Sequence, residues 1–165
     1  CLGDTTKAYI AKWEDHYIVS IMGSQEYVSM IRDLEIYKSG IGWAGCENCW
    51  VHEGFYYEWK SLEKCTIGSL KSLGCTQDSG IRVTGHSLGG AVTVIAMMGL
   101  ADQGWKIDEA YTFGQPRTGD GNFATDFNAR FGDRFHRVTH HQDPVVQLPP
   151  SEFIYDWHFQ HVEPE

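Results

Sequence analysis

The residues Gly85-His86-Ser87-Leu88-Gly89-Gly90 hold a serine between two glycines in a G-x-S-x-G pentapeptide. Before it lies the β-branched run Ile81-Arg82-Val83-Thr84, and after it an apolar stretch from Leu88 to Leu100. A serine at such a strand-to-helix turn suits nucleophilic attack on a carbonyl carbon. The turn is so tight that the serine takes a strained backbone conformation with its Oγ exposed. Side chains two positions before or after would collide across the bend, which accounts for Gly85 and Gly89, while Gly90 and Ala91 let the helix start pack close to a sheet. The helix N-terminus below Ser87 also offers backbone N–H groups and a partial positive charge to a developing oxyanion. The plain alternative is a glycine-rich strand-to-helix turn with no chemistry.

Other reactive types are spread along the chain. Asp143 follows an expected strand, Arg134–Thr139, in a loop with Pro144 behind it. An acid that orients a base belongs there, although a lone Asp-Pro is ordinarily only a turn. Cys46 and Cys49 form a C-x-x-C pair. A zinc site needs two more soft ligands, of which His52 offers at most one, and a redox pair would sit at a helix start; a local disulfide is the third reading. Cys65 and Cys75 would meet if Gly74 turned the chain back. With five cysteines, at least one lacks a partner within the chain. Cys1 reads as a free terminal thiol or as one whose partner was lost at a shortened end.

These residues need elements to position them. Ala8–Ala11 and Tyr17–Met22, joined through the polar Glu14-Asp15, read as a hairpin ending at Gly23. From Gln25 to Leu34 the period changes: Tyr27, Val28, Met30, Ile31 and Leu34 make the apolar stripe of a short amphipathic helix. A loop is expected over Ser39–Cys49, then a helix from about Phe55 to Leu73 stopped by Gly74. Strand Ile81–Thr84, helix Leu88–Leu100, strand Glu109–Phe113, helix Asn122–Phe131 and strand Arg134–Thr139 follow. This alternation predicts one α/β domain over residues 1–165, with a mainly parallel sheet covered by helices on both faces.

The 165 residues are one domain's worth of chain, and the 13% aromatic content argues against disorder. A net charge of −9 opposes binding to phosphate backbones, so nucleic acid is excluded as a partner. No window approaches the roughly 18 apolar residues of a membrane span. The chain begins with Cys1, and no signal-peptide core follows, so a mature or trimmed chain is expected.

Taken together, several motifs resemble the class 3 (fungal-type) lipases of the α/β-hydrolase superfamily, a group that also contains feruloyl esterases. The resemblance runs through Gly23-Ser24, Cys46-Glu47-Asn48-Cys49, Val51-His52-Glu53-Gly54-Phe55 and the serine segment. It continues through Thr112-Phe113-Gly114-Gln115-Pro116-Arg117-Thr118-Gly119, His140-His141-Gln142-Asp143-Pro144 and Leu148-Pro149-Pro150. It implies an α/β-hydrolase fold and a carboxylic ester hydrolase, a triacylglycerol lipase above all. A feruloyl or other small-ester esterase, or a non-catalytic lipid-binding module, are the alternatives. Ser87 is implied as nucleophile and Asp143 as triad acid, with the N–H groups of Leu88 and Ser24 as oxyanion donors. The helix Gln25–Leu34 is implied as a lid (a plain core-facing helix being the other reading), and Cys46–Cys49 as a disulfide of a secreted, extracellular protein. Met22 and Met30 depart from the family, which commonly has arginine and a lid tryptophan at these places.

In this superfamily the triad runs Ser, Asp/Glu, His along the chain. Only His158 and His161 follow Asp143, and the resemblance aligns His161-Val162-Glu163-Pro164 with a segment several tens of residues before the family's catalytic histidine. The expected base therefore lies beyond a C-terminally truncated chain, with His161 and then His158 as fallbacks. His136, His140 and His141 are expected to be structural or solvent-facing. No metal or cofactor is implied; the expected partner of a monomeric protein is a neutral lipid or ester substrate, met at a lipid–water interface.

Overall fold

A computed structural model of the chain describes residues 1–23, 37–43, 46–149 and 158–163. Ser24 and the helix expected over Gln25–Leu34, with Tyr27, Val28, Met30, Ile31 and Leu34, lie outside the described residues. Strands β1 (Ala8–Trp13) and β2 (His16–Ile21) form the hairpin, in register from Ala8↔Ile21 to Trp13↔His16. Strand β2 then pairs in parallel with β5 (Ile81–His86), β5 with β6 (Ile107–Phe113), and β6 with β7 (Phe135–Val138). The sheet order is β1-β2-β5-β6-β7.

Between β2 and β5 the chain makes a second, two-stranded sheet from β3 (Lys38–Gly40) and β4 (Trp50–His52). The loop expected over Ser39–Cys49 is therefore bracketed by paired strands, Lys38↔His52 through Gly40↔Trp50. Helix α1 (Glu53–Ser72) buries Phe55, Trp59, Leu62, Thr66 and Leu70 at helical spacing, and Gly74, at φ +87°, turns the chain beyond its end. In α2 (Leu88–Asp102) every residue from Leu88 to Leu100 is buried, as befits a helix apolar all round and packed between α1 and the sheet. Helix α3 (Gly121–Phe131) is N-capped by the Asp120 side chain, which accepts from Phe123 N at 2.9 Å.

Helices flank the mainly parallel sheet as expected. From β2 through β7 each parallel step moves the same way across the sheet. Burial alternates along the strands: Val19, Ile21, Val83, Ala110 and Phe135 are buried, whereas Arg82, His86, Tyr111, Phe113 and Val138 are exposed.

Two disulfides are present, Cys1–Cys65 and Cys46–Cys49, with Cα separations of 5.6 and 5.5 Å. Cys1 is thus neither free nor missing its partner, and Cys65 does not pair with Cys75, which is a buried free thiol. The reason lies in the first turn of chain. The Thr5 and Thr6 hydroxyls donate to the buried Glu58 carboxylate at 2.6 and 2.9 Å, laying the N-terminus across α1. A bridge spanning 64 residues stabilises the fold by about 4 kcal/mol, mainly through the unfolded chain.

Candidate active site

The serine turn is confined from several sides. Ser87 has φ 54° and ψ −125°, a left-handed backbone for a side chain that ordinarily avoids it. A Cβ on Gly85 would stand 2.2 Å from the Gly89 carbonyl oxygen, and one on Gly89 would stand 2.2 Å from the Ile21 carbonyl oxygen. The collision expected across the bend is thus observed at Gly85. At Gly89 the obstacle is the end of β2 instead. Ser87 N donates to Phe113 O at 2.8 Å, and Gly90 N to Ser87 O at 2.9 Å. Leu88 is the first residue of α2, so its amide stands at the helix N-terminus beside the serine.

The end of β2 also reaches the serine. A Cβ on Gly23 would lie 2.6 Å from His86 O and 3.5 Å from Ser87 Cβ. This puts the residue before Ser24 against Ser87, although Ser24 lies outside the described residues. The exposure expected of the hydroxyl is not seen: Ser87 is 3% exposed. Among the described residues its Oγ has no hydrogen-bond partner.

Asp143 stands in the loop after β7, just before the 3-10 turn Val145–Gln147. Val145 N donates to its Oδ1 at 2.9 Å. Its Oδ2 faces Gly114, where an added Cβ would come within 2.9 Å of the oxygen. Gly114 takes φ +58° and directly follows Phe113, whose carbonyl receives the Ser87 amide. Ser87 and Asp143 therefore meet at the dipeptide Phe113-Gly114 at the end of β6. In the sequence Gly114 stands only within the family motif; its closeness to Asp143 appears in the fold.

His161 Nε2 lies 2.8 Å from Val146 O, and Gln160 N donates to Gly119 O at 2.8 Å, which holds this segment along the β4 side of the molecule. His158 is exposed. Neither hydrogen-bonds Ser87 Oγ. His136 stacks on Tyr111 with ring centroids 4.6 Å apart, and His140 and His141 face solvent, in keeping with bland roles.

His52, a conceivable zinc ligand in the sequence and part of the family motif, is deeply buried. It is 5% exposed, stacks on Phe55 at 4.1 Å and has neither ring nitrogen hydrogen-bonded among the described residues. Burial pushes its pKa down to about 4, so the ring is neutral. Among the described residues no group of three or more His, Cys, Asp or Glu is placed to hold a metal ion, and no helix is long and apolar enough to cross a membrane.

A mostly parallel sheet flanked by helices, with a strained serine where a central strand meets its helix, defines an α/β-hydrolase fold. More narrowly, residues 18–153 match the family model described as lipase (class 3), and the chain belongs to that family. It is 39% identical over 126 residues to Lipase A of Sodiomyces alcalophilus, a match covering 68% of this chain and 30% of that protein. To secreted mono- and diacylglycerol lipase 1 of Fusarium solani it is 35% identical over 154 residues, covering 90% of this chain and 42% of that one. Its structure resembles the crystal structure of a mutant form of MDLA from Penicillium cyclopium, with TM-score 0.84 and 28% identity, covering 97% of this chain and 57% of that one. The chain spans less than half the length of the two curated relatives.

Proposed function

We propose that the protein carrying this chain is a secreted acylglycerol lipase that works through a serine nucleophile. The observation that carries the reading is Ser87, held at φ 54° by glycines whose side chains would strike backbone. Such strain persists only when its surroundings enforce it, and here it sets the hydroxyl at a helix N-terminus. Ser87 attacks the ester carbonyl, and the N–H groups of Leu88 and Ser24 receive the oxyanion. Each such donor is worth roughly 3 kcal/mol in the transition state. Asp143 orients a histidine and stabilises the imidazolium formed as Ser87 loses its proton; water then releases the acyl-enzyme. That histidine belongs to a part of the protein beyond these 165 residues. Support for this comes from His161, whose Nε2 is already engaged with Val146 O.

The name of the Fusarium relative favours mono- and diacylglycerols as substrates over feruloyl esters. That same name, together with two disulfides, supports secretion. Treating the full-length protein with a fluorophosphonate probe should label Ser87, with mono-, di- and triacylglycerol emulsions cleaved well ahead of methyl ferulate. Failure of the probe to label the folded protein, with no turnover of any ester, overturns the reading in favour of a lipid-binding module.

A further inference from the structure

The loop bearing Asp143 leaves β7 at Val138 and is shaped largely from within. Asp143 N donates to His140 O, Gln147 N to Pro144 O and Leu148 N to Val145 O. Those bonds fix the loop's own curvature. They do not fix where the carboxylate stands relative to the serine on the neighbouring element.

Arg117 supplies such a tie. It lies three residues after Gly114, on the same connection that carries the Ser87 amide's acceptor. Its backbone N donates to Leu148 O at 2.6 Å. Its guanidinium Nη1 donates to Gln147 O and, at 2.9 Å, to Pro149 O. Three consecutive carbonyls of the acid loop thus converge on one residue. The planar fork of an arginine suits this use, since one nitrogen reaches two carbonyls at fixed angles, which a lysine ammonium on a flexible stem does not reproduce. The grip is kept although burial and the nearby Arg137 both disfavour the charge on Arg117.

We propose that Arg117 is a positioning residue for the triad acid: with Gly114 it clamps the 143–149 loop at both ends, so that the Asp143 carboxylate is held in register with Ser87. Arg117 touches neither substrate nor reacting atoms. It acts through Asp143, whose misplacement by an ångström costs on the order of 10²-fold in rate. The inference rests on the serine-hydrolase reading above.

The test uses the full-length protein with Arg117→Met and Arg117→Lys, read by kcat and KM on a soluble ester, by the pH profile of kcat/KM, by Tm and by fluorophosphonate labelling. Arg117→Met should lower kcat about 10²-fold while KM stays within about threefold, with Arg117→Lys falling between it and wild type. The acid limb of kcat/KM should move to lower pH, because a displaced carboxylate no longer stabilises the imidazolium. A purely structural anchor would lower Tm and the labelled fraction together and leave that limb in place, which overturns the proposal. So does a variant with wild-type kcat and an unshifted limb. If wild-type protein itself neither labels nor turns over ester, the serine-hydrolase reading has failed instead.

Discussion

At Ser87 the chain is confined by collision. Gly85, Gly89 and Gly23 each stand so close to a carbonyl oxygen that an added methyl would overlap it by the better part of an ångström, and the serine's own torsions follow from that crowding. At Asp143 nothing comparable happens. That loop is surface chain, bent by its own hydrogen bonds and moored to β6 and its exit by Gly114 and Arg117. One member of the pair is placed by backbone that cannot go elsewhere, and the other by a few polar ties that can be cut singly. Errors at the first should cost folding and activity together, while errors at the second should cost activity far more than stability.

Gly85→Ala puts a methyl 2.2 Å from the Gly89 oxygen. Because backbone rather than a side chain must give, the cost should be about 3 kcal/mol or more, with ester hydrolysis lost. Chemical denaturation and turnover measured side by side would show both, and a stable variant with normal turnover would dissolve the contrast. Gly114→Ala is the matching cut at the acid. It adds a Cβ at φ +58° and presses it within 2.9 Å of Asp143 Oδ2. We expect kcat to drop between about 10- and 100-fold through displacement of the carboxylate, with stability reduced by only about 1–2 kcal/mol.

The smallest effect on turnover, confined to stability in acid, concerns a residue outside both regions. With a folded pKa of about 4 against 6.5 for the free side chain, His52 binds its proton in the unfolded chain first. Its linked stability is therefore intact above about pH 6.5 and lost as the pH falls from there towards 4, by roughly 3 kcal/mol at most. Thermal melts from pH 7 to pH 4 should show this slope, and His52→Phe, which preserves a ring on Phe55, should flatten it. An equal slope in the variant would assign the acid sensitivity to other groups.

Much of this architecture was legible in advance, because hydrophobic period and glycine placement are local properties. The hairpin, the strand at Ile81, helix α2 and the strained serine turn all follow from runs of neighbouring residues. What escaped was non-local. Lys38-Ser39-Gly40 carries no strand pattern of its own and becomes β3 only through pairing with Trp50–His52 across the cysteine loop. Cys65 finds Cys1 only because Thr5 and Thr6 fold back onto Glu58, a contact spanning more than fifty residues. Arg117 sat within a recognisable motif, yet its carbonyl partners lie about thirty residues away, so no spacing rule gave it a task.

The monotonic strand order has a practical side. Gly23, Ser87, Gly114 and Asp143 all follow the C-terminal ends of their strands, and the turns that re-enter the sheet lie at its opposite end. Gln77, Asp78, Gln103, Gly104 and Asp133 in those turns are exposed. A fluorophore or affinity tag grafted there would sit a full strand's length from Ser87 and Asp143.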